Sequence, residues 1–151
     1  MAIYKVRENA ESYGHAVGII LVDVRTPFIP GDVGNASTYP FPVVYRTVPE
    51  VTLERLIEQG DKSLTDNVIN TARELENMGV RAIASDCGYM IHFQAEVAAA
   101  VSVPVIMSSL IQLPMLERSI GPERKIGVIC ANKPRLTNDM LALAGLHDPG
   151  R

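Results

Sequence analysis

The chain has 151 residues, enough for one domain or one domain with part of another. It is 47% apolar and 21% charged, which is ordinary globular composition, and its net charge of −3 with no basic block gives no electrostatic footprint for nucleic acid or an anionic membrane. The longest apolar run, Ala16 to Val22, is too short to span a bilayer, and Met1 to Ser12 lacks the apolar core of a signal peptide.

Ala16 to Val24 is a near-continuous apolar run rich in β-branched residues, the pattern of a strand buried on both faces of a parallel sheet. The stretch from Arg25 to Pro42 carries several prolines and glycines and reads as a long loop. Within it, Gly31-Asp-Val-Gly-Asn35 lacks the spacing of a dinucleotide-binding glycine motif and shapes the loop instead. Pro42 to Val48 predicts a second strand, and Leu53 to Gln59 a short helix capped by Thr52 and stopped at Gly60. A longer helix opens at Ser63 or Thr65 and runs through Asn77, with Val68, Ile69, Ala72 and Leu75 on one face and Gly79 as its stop.

Arg81 to Cys87 predicts a third strand, Gly88 a turn, and Met90 to Val101 an Ala-rich helix. Pro104 to Ser109 predicts a fourth strand and Leu113 to Ile120 a short helix. Lys125 to Ala131 predicts a fifth strand, followed by a helix from Leu136 to Ala144 with Thr137 as cap. Strands alternating with helices predict an α/β fold: βαβ units on a parallel sheet flanked by helices. Val17-Gly-Ile-Ile-Leu and Ile126-Gly-Val-Ile-Cys share one pattern, which predicts the opening strands of two similar halves. The division expected is 1–122 for the first unit and 123–151 for an incomplete second one.

Ligands of open α/β sheets bind at the carboxyl ends of the strands. The residues there are Asp23, Ser85 to Tyr89, Ser108-Ser109 and Cys130 to Asn132. Cys87 is the sharpest candidate, because a glycine turn and a helix N-terminus follow it and can favour a thiolate or an anion. Against that stand the reading of a small buried hydrophobe and the nearby charge of Asp86. Cys130, inside its expected strand, reads as core and as the less reactive thiol. His92 could reach the same cleft or cap the surface, and Asp23 could be a polar site group or a turn residue. The two cysteines form no CxxC, which predicts a reducing, cytoplasmic setting rather than a disulfide framework, and the three scattered histidines predict no metal.

The order of elements, Ser85-Asp86-Cys87-Gly88 at the end of the third strand, and the second apolar-Gly-apolar-apolar strand at Ile126 together resemble the aspartate/glutamate racemase superfamily. That group includes aspartate, glutamate and hydantoin racemases, maleate isomerases and arylmalonate decarboxylases. The resemblance covers about Ala16 to Ala144. It implies two pseudo-symmetric α/β halves, with the second incomplete here. It also implies cofactor-independent proton transfer beside a carboxylate or carbonyl, with Cys87 as acid/base. Gly88 and Tyr89 replace the Asn-Thr of many racemases, so the aspartate contacts do not carry over. Cys130 lies too early in the second half to be the partner cysteine. A one-cysteine decarboxylase or isomerase and a catalytically silent binding domain are the alternatives. The expected site is Cys87 with Asp23, Asn35, Gly88, Tyr89 and Asn132 contacting a small carboxylate or amino-acid-like substrate. No cofactor, nucleic acid or membrane is expected, and a homodimer without racemase activity of its own is.

Overall fold

The computed structural model describes residues 3, 5–8, 10–121 and 123–146. Residues 147–151 of the expected second unit lie outside the described residues. Four strands form one sheet: β1 (Val17–Leu21), β2 (Val43–Thr47), β3 (Ala82–Ser85) and β4 (Val105–Ile106). Their order is β2-β1-β3-β4 and every pairing is parallel. Val17 lies opposite both Val43 and Ala82, and Ile20 opposite Ser85. The α/β expectation and the parallel sheet flanked by helices therefore hold. This sheet does not by itself confirm a two-domain racemase arrangement.

The helices are α1 (Thr65–Asn77), α2 (Gln94–Ala100), α3 (Leu113–Ser119) and α4 (Asn138–Leu143), with short 3-10 turns between them. The segment expected as the first helix winds as one π turn, Glu54–Glu58. In α1, Val68, Thr71, Ala72 and Leu75 are buried at helical spacing. Gly18 explains how closely α1 lies on β1, since a Cβ there would meet three Leu75 side-chain carbons at 3.1 Å. Gly79 ends α1 at φ +77°, and a Cβ on it would strike the Ser12 carbonyl. The carbonyls at that helix end are taken up from the N-terminal segment. Glu11 N–H donates to Asn77 O, Ser12 Oγ to Met78 O, and the Arg7 guanidinium to Gly79 O and Val80 O.

The chain leaves β1 toward β2, returns across β1 to β3, and continues to β4. The direction reverses between β1 and β3, and in open α/β sheets the crevice outside that switch point holds ligands. β1 stops where its ladder is replaced: Val22 N–H turns to the Asp86 carboxylate and Asp23 N–H to Val51 O. Ile20, Val48, Ile83, Phe93 and Met107 are buried in one core cluster. Met140, Ala144 and Leu146 of the C-terminal stretch are buried in the same cluster.

The fifth strand does not form. Lys125 to Ala131 runs without pairing to the sheet. Its apolar residues from Ile126 to Ile129 instead lie over Leu110, Leu113 and Leu116, beside α3. Ile129 is fully exposed, and a Cβ on Gly127 would meet nothing, so the echo of the β1 pattern does not reproduce the packing of β1.

Candidate active site

Three stretches converge beyond the carboxyl ends of β3 and β4. The turn after β3 supplies Asp86, Cys87, Gly88 and Tyr89, and the 3-10 turn after β4 supplies Ser109 and Leu110. The unpaired segment Val128 to Ala131 lies over them, with Leu136 and Met140 closing the side. Together they enclose a pocket of about 280 Å³.

Cys87 sits in extended conformation as the residue before a 3-10 helix, Gly88–Phe93, that leads into α2. The backbone N–H groups of Tyr89 and Met90, the latter bonded to the Cys87 carbonyl at 2.9 Å, favour the thiolate. Burial works the other way and wins, with the Asp86 charge adding to it, so the thiol is pushed up to about 11. The helix-end effect anticipated from the sequence is present and is outweighed.

Asp86 is pushed up to about 6, first by burial, with the nearby Asp32 charge adding, although the Val22 N–H it accepts at 3.1 Å holds it down. Asp32 belongs to the long 25–42 loop, so that loop approaches the switch point from the Asp86 side. None of its residues lines the Cys87 pocket. Ser85 Oγ donates to Met107 O, which ties the ends of β3 and β4 together, and Ser108 Oγ accepts from Leu110 N–H and caps the 3-10 turn after β4.

Tyr89 is buried and staples the overlying segment in place. Its hydroxyl donates to Asn132 O at 2.7 Å and accepts from Asn132 N–H at 3.1 Å. Asn132 Nδ2 and Arg135 Nε both donate to the carboxylate of Glu58 on the π turn. Burial, more than any other influence, raises the Tyr89 phenol; its contact with the Cys130 thiol adds to this.

Of the expected site residues, Cys87, Gly88 and Tyr89 meet in this pocket. Asn132 is beside it and acts through its backbone on Tyr89. Asp23 pairs with Arg25 at 3.1 Å, and Asn35 caps the 3-10 turn Ala36–Thr38 while donating to Phe28 O, so neither lines the pocket. His92 is lowered by burial and then by the Lys62 charge, and it does not line the pocket. Cys130, expected in the core, lines the pocket together with Cys87. Its strand-like surroundings concealed this, because the pattern that predicts a strand does not say whether the strand pairs. Among the described residues no group of three or more His, Cys, Asp or Glu could hold a metal ion, and no helix is long and apolar enough to cross a membrane.

No family model matches the chain. It is 37% identical over 124 residues to a dimethylsulfoniopropionate lyase of Durusdinium sp. clade D, covering 80% of this chain and 41% of that protein. Dimethylsulfoniopropionate lyase 3 of Emiliania huxleyi (strain CCMP1516) is 36% identical over 121 residues, covering 78% and 31%. Lyase 5 of the same strain is 32% identical over 144 residues, covering 89% and 28%. The chain thus spans about two fifths or less of the length of these curated relatives. Their names correct the reading drawn from the racemase resemblance: the chain is similar to lyases, and neither a racemase nor the alternative of a decarboxylase or isomerase is supported.

Proposed function

We propose that the Cys87 pocket is a lyase site for dimethylsulfoniopropionate and that Cys87 is its base. The observation that carries this reading is the similarity of most of the chain to proteins named for that reaction, in a fold whose cysteine at the carboxyl end of β3 lines a small pocket. The substrate joins a carboxylate at one end to a dimethylsulfonium at the other. A thiolate at Cys87 takes a proton from the carbon beside the carboxylate. That electron pair becomes the new C=C bond while the C–S bond breaks. Dimethyl sulfide leaves as a neutral molecule and acrylate remains. Cys87 then returns its proton to solvent.

The residues present suit such a substrate. Gly88 and Tyr89, at a helix N-terminus, are where the carboxylate is to be expected. Leu110, Val128, Leu136 and Met140 give the methyl groups an apolar wall, and Asp86 attracts the positive sulfur. The arriving cation also helps Cys87. It favours the thiolate that burial and Asp86 oppose in the free protein. Headspace gas chromatography of dimethyl sulfide tests the proposal on the wild type and on Cys87→Ser, with calorimetric titration of the substrate alongside. Release that the substitution abolishes is expected. Release that persists in Cys87→Ser overturns the role of Cys87, and a protein that neither releases dimethyl sulfide nor binds the substrate overturns the reading.

A further inference from the structure

We propose that Cys87 and Cys130 form a conditional disulfide pair, a modification site for hydroperoxides whose oxidation closes the pocket they share. Both are free, half-buried thiols, and both line the same cavity of about 280 Å³. Tyr89, which lines the same cavity, is influenced by both thiols, by Cys130 more than by Cys87.

The segment that carries Cys130 is held by side-chain packing and by its far end rather than by a backbone ladder. Among the described residues, no backbone group from Lys125 to Ala131 donates or accepts a hydrogen bond. The segment is held at its far end, where Asn132 bonds to Tyr89 and Glu58. Elimination from a sulfonium needs no acid, because its leaving group departs neutral. The second thiol therefore has no place in the proposed lyase chemistry, and this inference does not depend on that chemistry.

The step balances as follows. The Cys130 thiolate attacks one peroxide oxygen and the O–O bond breaks. The departing oxide takes the proton that Cys130 lost, and Cys130 becomes a sulfenic acid. The Cys87 thiolate then attacks that sulfur and the S–O bond breaks. The released hydroxide takes the Cys87 proton and leaves as water. The two thiols are oxidised and the hydroperoxide is reduced, giving one disulfide, one alcohol or water, and one water. Cys130 acts first because burial makes the Cys87 thiolate scarce.

The test uses the full chain with one equivalent of hydrogen peroxide, quenched with N-ethylmaleimide and read by intact mass and peptide mapping. A monomer lighter by two hydrogens, carrying a Cys87–Cys130 peptide pair that dithiothreitol reverses, is expected. Cys130→Ser should lose no hydrogens as a monomer. Disulfide-linked dimers, or sulfinic acid on either cysteine without the intramolecular pair in the wild type, would overturn the assignment.

Discussion

The Asp86 carboxylate accepts the backbone N–H of Val22 at 3.1 Å, bridging the turn after β3 to the end of β1 at the point where the sheet reverses direction. This buried acid is raised from its ordinary 3.8 to about 6, so the folded protein holds a proton that the unfolded chain has already lost. Stability therefore falls as pH rises from about 4 to about 6 and stays lower above that window. Asp86→Asn keeps an oxygen for Val22 and removes the buried charge. We expect it to flatten the fall and to raise neutral-pH stability by about 1–2 kcal/mol after allowing for screening. Denaturant titrations between pH 4 and 8 read the effect. An unchanged or steeper fall in the variant would contradict it.

Asp86 also acts on its neighbour. Its charge adds to the burial that pushes Cys87 up to about 11. In Asp86→Asn the pH at which Cys87 alkylation reaches half its maximal rate should move down, though not to the value of a free thiol, because burial is the larger cause. Iodoacetamide rates followed by peptide mass spectrometry measure it. No downward movement would remove Asp86 from the electrostatics of the site.

If a cationic substrate favours the thiolate, the two pH profiles of lyase turnover should separate. The limb of kcat/KM reports the free protein and should lie near the high value of Cys87. The limb of kcat reports the complex and should lie at lower pH. Coincident limbs would mean that the bound sulfonium does not assist Cys87.

Tyr89→Phe removes both hydrogen bonds to Asn132 and leaves that backbone without its buried partner. A loss of about 1–2 kcal/mol is expected, together with faster alkylation of Cys130 as the overlying segment loosens. A slower Cys130 reaction in the variant would show that Tyr89 does not hold the segment down.

The two halves of the sequence echo should respond differently. Gly18→Ala places a methyl group 3.1 Å from three Leu75 carbons and should lose about 1–3 kcal/mol. Gly127→Ala places one in open space and should leave the melting temperature nearly unchanged. Equal losses at both positions would restore the second strand that the structure lacks.

That contrast explains what the sequence made legible. β1 was readable because a continuous apolar run packed on both faces has few alternatives to a central parallel strand. α1 was readable from the spacing of Val68, Ala72 and Leu75, and its end from Gly79. Cys87 stood out because it follows a strand and precedes a glycine. The stretch from Lys125 to Ala131 shows the same local pattern as β1, but pairing depends on a neighbouring strand, and β4 offers only two residues. The place of Cys130 in the pocket follows from that tertiary outcome and from the Tyr89 staple, which residue spacing does not encode. The balance of burial against helix-end N–H groups at Cys87 is likewise a matter of depth. The sequence shows which groups are adjacent and not how far water reaches them.

The most direct test of the central claim is the rate of Cys87 alkylation by iodoacetamide with and without dimethylsulfoniopropionate, using Cys87-bearing peptides as the readout. A substrate seated in the pocket shields the thiol in proportion to occupancy, so a saturating concentration should slow the reaction about tenfold. Protection of Cys87 by the substrate to about that extent, with much weaker protection by propionate, is the predicted result. An alkylation rate that dimethylsulfoniopropionate leaves unchanged, or accelerates, would contradict the placement of the substrate at Cys87.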